Sequence, residues 1–309
     1  MKRNILVLGG NGFIGKNLVN LLVKKGEHVI SFDLHKPEME NAGVEYIEGN
    51  FFEDRTLGML VENADVIYHC ICTINPGNSE KKYLQAYEKD FIQTVKLVEL
   101  VKNKGNQMIF LSSGGTVYGR QEIVPIREEA ILAPINHYGN LKVCIENTIR
   151  IFNRLDGTHI KIARVANPYG PGQDYGKGVG FIDAVLKNGL QKQTVKVWGD
   201  GKVIRDYVYI DDVCEMLYIL ADYSGEVETF NIGTGEGKSQ NDIIKIAKKW
   251  FPDLKVEYLE ARGVDVPQNV LSNKKIMGIY DKNLKSLESG MENYYNYLIC
   301  NTGKAGKVE

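Results

Sequence analysis

Tyr138 and Lys142 stand four residues apart in Tyr138-Gly139-Asn140-Leu141-Lys142, and none of the other sixteen tyrosines has a lysine at that spacing. In a helix this spacing puts both side chains on one face. An ammonium beside a phenol favours the phenolate, so Lys142 is expected to pull the tyrosine pKa down towards working pH. Such a group can take the proton of an alcohol while the carbon's hydride leaves for an acceptor. An exposed helical pair uses the same spacing, so its meaning depends on the elements around it.

A possible acceptor site lies near the N-terminus. Ile5-Leu6-Val7-Leu8 is an apolar run suited to a buried strand, and Gly9-Gly10-Asn11-Gly12-Phe13-Ile14-Gly15 follows at once. Helical periodicity then runs through Phe13, Ile14, Leu18, Val19, Leu21 and Leu22 to Gly26. Between a strand and a helix, Gly9, Gly12 and Gly15 let the backbone turn tightly, approach a pyrophosphate and pack the helix on the sheet. The helix N-terminus offers free N–H groups to the anion. Counted from Gly10, the same residues nearly form a triphosphate-binding loop ending Gly15-Lys16-Asn17, but Asn17 lacks the hydroxyl that would hold magnesium. Asp33 ends the strand-like His28–Asp33 segment, eighteen residues after Gly15. An acid there can bond both ribose hydroxyls of NAD and repels the extra phosphate of NADP. The cofactor expected is therefore NAD, held by Gly9, Gly12, Phe13, Ile14, Gly15 and Asp33. No metal is expected.

The elements that must position these groups alternate. Asp65-Val66-Ile67-Tyr68-His69 and Met108-Ile109-Phe110-Leu111 read as strands, residues 80–104 and 138–154 as helices, and Ile160-Lys161-Ile162-Ala163 as strand again. That order implies an α/β fold with a doubly wound, Rossmann-like parallel sheet. Beyond residue 165 the alternation weakens at a turn-rich break, Asn167-Pro168-Tyr169-Gly170-Pro171-Gly172, and Gly176 to Gly180 reads as a loop. An NAD-binding domain is expected over residues 1–166, rejoined by about 203–232. A smaller C-terminal α/β substrate lobe is expected over 167–202 and 233–309, with a frayed tail from Asn301.

Composition narrows the function classes. Of 309 residues, 43% are hydrophobic and 25% charged, enough for a packed core and against disorder. The formal net charge of -1 argues against bulk electrostatic binding of nucleic acid. No run of about 18 apolar residues exists to span a membrane. Five cysteines, an odd number without a C-x-x-C pair, point to a reducing cytoplasm.

Together these motifs resemble the extended short-chain dehydrogenase/reductases, more narrowly the NAD-dependent epimerase/dehydratase family acting on nucleotide sugars. The resemblance covers roughly residues 4–270. It rests on the glycine turn, Asp65–His69, Ser112-Ser113-Gly114-Gly115-Thr116-Val117-Tyr118-Gly119, the Tyr138/Lys142 pair, Arg164–Gly172, Gly199-Asp200-Gly201, Arg205–Val213 and Arg262-x-x-Asp265. It implies that Tyr138 is the catalytic base and acid, with Lys142 tuning it and bonding the nicotinamide ribose. Asn50 and Phe51 would border the adenine. Asn167, Arg205 and Arg262 would hold the phosphates of a nucleotide sugar, a UDP-sugar above all, and Asp265 its ribose. A homodimer formed through the 80–104 and 140–154 helices is also expected.

Two departures refine the resemblance. Gly114 stands where the family places a catalytic Ser or Thr, leaving Ser113 and Thr116 as alternative hydroxyl donors. Gly115-Thr116 carries no acid where water-expelling dehydratases have one, and Thr before Val-Tyr-Gly is similar to UDP-glucose 4-epimerases. The expected reaction is 4-epimerisation of a UDP-hexose through a transient 4-keto sugar. A 4-keto-sugar reductase and a non-catalytic NAD-binding protein are the alternatives. Asn269, four residues past Asp265, is expected to border the sugar's C2 substituent, where its small size would admit an acetamido group.

Overall fold

The computed structural model describes residues 2–53, 56–174, 180–261 and 266–305, with side chains to residue 301. Strand β1 (Asn4–Leu8) runs into helix α1 (Phe13–Lys24), whose Gly15, Leu18, Val19 and Leu22 face the core. β2 (His28–Asp33) and β3 (Val44–Glu48) follow, then α2 (Leu57–Asn63) and β4 (Val66–His69). The expected 80–104 helix is present but interrupted. α3 (Ser79–Ala86) passes through a π-helical turn, Tyr87–Phe91, into α4 (Ile92–Lys104). β5 (Gln107–Ser113), α5 (His137–Asp156) and β6 (Lys161–Val165) complete the first half.

Residue 167 onwards corrects the expectation of a plain break. Asn167–Tyr169 is a short strand, β7. Its Pro168 gives up a ladder N–H, which a two-stranded edge pairing tolerates. After it come α6 (Phe181–Leu190), β8 (Val195–Trp198), β9 (Ile204–Arg205), β10 (Tyr207–Tyr209) and α7 (Ile210–Leu220). β11 (Thr229–Ile232), β12 (Lys238–Ser239), α8 (Gln240–Ala247), β13 (Val256–Leu259) and β14 (Gln268–Asn269) follow. Two helices, α9 (Lys274–Met277) and α10 (Leu287–Ala305), close the described chain. Of the loop expected at Gly176–Gly180, only Gly180 lies among the described residues.

The main sheet has seven parallel strands in the order β11-β6-β5-β4-β1-β2-β3. The strand order reverses between β1 and β4, where open α/β sheets bind ligands at the strands' carboxyl ends. Central strands are buried on both faces, so Ile5, Leu6, Val7 and Leu8 are all fully covered. Small pairings, β10 with β7, β9 with β12 and β14, and β13 with β8, form separate sheets. No described helix is long and apolar enough to cross a membrane.

Candidate active site

A helix cap, a close glycine contact and a buried side-chain network bring the reactive groups together. Asn136 caps α5, its Oδ1 accepting Gly139 N–H at 2.8 Å. Gly139 lets the helix start press on the loop after β5: a Cβ there would lie 2.7 Å from Thr116 O and 3.0 Å from Pro134 Cβ. Further along α5, buried Glu146 accepts Ser112 Oγ–H at 2.5 Å and Arg164 Nε–H at 3.1 Å. Helix and loop are thereby locked on both sides of Tyr138.

Tyr138 is half-buried and lines the same cleft as Ser113, whose side chain favours the phenolate. Lys142 is 3% exposed; its Nζ donates to Leu111 O at 2.9 Å and lies 5.8 Å from the centre of the Tyr138 ring. The expectation of a lowered tyrosine pKa is corrected. Burial raises it, and the lowering by Lys142 and Ser113 offsets only part of that. For Lys142 burial opposes the charge, but Cys72, Tyr138 and Asp90 outweigh it and raise the pKa.

The two candidate hydroxyls now differ. Ser113 favours the Tyr138 phenolate, whereas Thr116 Oγ1 turns back to Ser113 O at 3.5 Å. Both line the cleft. Gly114 has a steric reason to be glycine. A Cβ would collide with Leu271 Cδ1 and lie 3.0 Å from Arg164 O. A serine at that position would have to displace packed neighbours.

The glycine turn fits a dinucleotide. Gly9 has φ +83°, and a Cβ on Gly15 would strike the Gly9 carbonyl oxygen, so α1 approaches as closely as backbone allows. Asp33 accepts Asn11 N–H and Leu34 N–H, each at 2.8 Å, which fixes its carboxylate at the edge of the turn. Phe13 lines the cleft and Ile14 packs on the core. Asn50 Oδ1 accepts Phe52 N–H at 3.1 Å, and Phe51 is buried against Phe52 and His69. Phe51 is thus a core residue rather than a free apolar edge. Asp33→Ala should narrow the preference for NAD over NADP, because it removes a charge facing the extra phosphate. Titration of both cofactors checks this, and wild-type protein that binds them equally would refute the role.

A cleft of about 490 Å³ joins Ser113, Thr116 and Tyr138 to Asn167 and Arg205. Asn167 Nδ2 donates to Asp206 O at 3.2 Å. Arg205 donates to Ile204 O and Val266 O, both at 2.8 Å. Asp206 is occupied elsewhere, accepting Thr234 N–H at 2.8 Å and Leu271 N–H at 3.3 Å. Asn269 does not join this group, which corrects the expectation that it borders the sugar. The β14–β9 register turns it inward, where it is 1% exposed and donates to Gly114 O at 3.2 Å. Arg262 and Asp265 lie outside the described residues. Sequence reasoning missed Gln173, Trp198 and Gln240 as cleft residues. The first two adjoin quoted motifs, a signal that was there to use, while nothing local marks Gln240.

Comparison with known proteins supports the same picture. Residues 5–233 match the NAD dependent epimerase/dehydratase family. A putative UDP-glucose 4-epimerase of Methanocaldococcus jannaschii is 30% identical over 250 residues, spanning 79% of this chain and 81% of the relative. A dTDP-4-dehydro-6-deoxyglucose reductase of Escherichia coli is 31% identical over 260 residues, 79% of this chain and 80% of the relative. The crystal structure of UDP-glucose 4-epimerase with UDP-glucose from Thermotoga maritima superposes with a TM-score of 0.90 at 30% identity, covering 97% of this chain and 99% of that one. With its glycine turn, its Tyr138/Lys142 pair and its cleft at the sheet's carboxyl edge, the chain belongs to the NAD dependent epimerase/dehydratase family.

Proposed function

We propose that this protein is an NAD-dependent 4-epimerase of a UDP-hexose. The observation that carries the reading is Tyr138 with Lys142 Nζ 5.8 Å from its ring centre, in a cleft whose lining also includes Ser113 and Arg205. The glycine turn and Asp33 would hold NAD, which supplies a hydride acceptor and then a hydride donor. Tyr138 takes the proton from the sugar's C4 hydroxyl and later returns it. Ser113 bonds the same oxygen while charge develops on it. Lys142 favours the phenolate against the cost of burial. Asn167 and Arg205 would bind the diphosphate, where a guanidinium suits phosphate oxygens. Residues 167–202 and 233–309 would form the substrate lobe, and turning the 4-keto sugar within the cleft would present its other face.

Exposed apolar side chains on α3, α4 and α5, namely Leu84, Ile92, Ile151 and Leu155, support a homodimer through these helices. The five free thiols accord with a cytoplasmic enzyme.

The Escherichia coli relative favours a second reading, a 4-keto-sugar reductase on the same residues. Incubation with a panel of UDP-hexoses, without added cofactor, separates the two. Interconversion of 4-epimers is expected. No epimer from that panel, together with net consumption of NADH or NADPH when a nucleotide 4-keto sugar is supplied in a parallel assay, would establish the reductase instead.

A further inference from the structure

The two polar atoms of the buried Asn269 side chain are unequally served. Nδ2 donates to Gly114 O at 3.2 Å, whereas Oδ1 has no hydrogen-bond partner among the described residues. A buried oxygen left unmet costs stability. Leucine has a similar shape and would fill the space without that cost. The use of an asparagine here therefore lies in its donor end and in what that end holds.

It holds the turn after β5. Gly114 N–H donates to Val165 O at 2.8 Å, and Ser113 O accepts Thr116 N–H at 3.1 Å and Val117 N–H at 3.0 Å. Asn269 fastens the Gly114 carbonyl that lies between them. Alternate residues of an extended chain share a face. Two residues on, Leu271 packs under the same glycine, where a Cβ would collide with its Cδ1. The backbone of Asn269 faces the other way: it pairs with Arg205, and its carbonyl accepts Asp206 N–H at 3.1 Å. One residue thus joins the turn bearing Ser113 to the strand bearing Arg205, and both of those side chains line the cleft.

A nucleotide sugar spans the same two points. With its diphosphate at Arg205, the span from Arg205 to Ser113 decides which sugar oxygen arrives at Tyr138. We propose that Asn269 is a positioning residue, which sets the Ser113 turn against the Arg205 strand so that the C4 oxygen is aligned once the diphosphate is bound. Asn269 is 1% exposed and acts through Gly114 rather than on the sugar. This rests on the epimerase reading above and adds to it a residue beneath the reacting groups.

Steady-state kinetics of Asn269→Leu with UDP-glucose, alone and combined with Ser113→Ala, test the proposal. In Asn269→Leu kcat should fall about tenfold or more, because a misplacement of about 1 Å can cost about 10²-fold. KM and the affinity for UDP should stay within about threefold of wild type, since the grip at Arg205 is kept. The melting temperature should stay close to wild type, because the variant exchanges one unmet acceptor, Oδ1, for another, Gly114 O. In Ser113→Ala protein, which has already lost the group being aimed, Asn269→Leu should cost less than about threefold in kcat. Asn269→Ala, smaller and also without the amide, should show the same split, so the result does not depend on fitting a leucine. An unchanged kcat would overturn the role of Asn269 and leave the epimerase reading standing. An equal loss with and without Ser113, or a loss of UDP affinity alongside kcat, would overturn it too, as marks of general distortion. Wild type that interconverts no UDP-hexose would overturn both.

Discussion

Tyr138→Phe is expected to lower kcat by about 10²–10⁴-fold, the usual scale for losing a positioned general base. Phenylalanine keeps the ring and its packing, so the melting temperature and UDP binding should stay close to wild type. The loss belongs to kcat because the phenol oxygen matters most as the proton moves. A pH dependence follows from the same group. Burial holds the Tyr138 pKa above its ordinary value, with Lys142 and Ser113 acting in the opposite direction. The phenolate fraction, and with it the rate of proton removal, should therefore rise with pH across the neutral range. Lys142→Met should move that rise to higher pH. Single-turnover measurement of the Tyr138→Phe protein checks the main effect, and a loss below about tenfold would assign the proton to another group.

Ser113→Ala should cost about 10²-fold in kcat, the lower end of what one lost transition-state hydrogen bond costs. Thr116→Val should cost much less, because Thr116 Oγ1 is turned towards Ser113 O. The reason lies in the Gly114 turn. Leu271 fills the space that a side chain at Gly114 would need, so the hydroxyl has passed to a neighbour on the strand end. Serine 113 ends β5 and is aimed by the strand itself. Its alignment depends on the Ser112–Glu146 bond next to it. Comparing the two variants with UDP-glucose decides the matter. A larger loss in Thr116→Val than in Ser113→Ala would reverse the assignment.

The parts of the fold visible in the sequence are those where one local pattern has one physical cause. Ile5–Leu8 followed by glycines can hardly be other than a buried strand entering a tight turn, and the Tyr138/Lys142 spacing needs only a helix. Elements that depend on distant partners were harder to see. β3 is a half-exposed edge strand whose Val44–Glu48 pattern is mixed. β7 carries a proline and is followed by Gly170, which look like a turn until β10 arrives from forty residues further on to pair with it. The π-turn at Tyr87–Phe91 leaves no trace in periodicity.

The site divides in the same way. Residue types could nominate Ser113 and Thr116 equally, because only the path of the loop turns Thr116 Oγ1 back to Ser113 O. Asn269 was placed by its distance along the chain from Asp265, but the β14–β9 register turns it beneath Gly114. The direction of the Tyr138 pKa required burial, which a sequence pair cannot supply. Gln240 begins a helix without any neighbouring motif, and only the β12–β9 pairing carries it to the cleft.

Reversible hydride transfer at C4 is tested most directly with UDP-glucose carrying deuterium at C4, incubated with the enzyme in ordinary water. The hydride leaves and returns without meeting solvent, so UDP-galactose that retains deuterium at C4 is predicted. Product with solvent hydrogen at C4, or solvent exchange at C5 without a 4-epimer, would contradict the proposed mechanism.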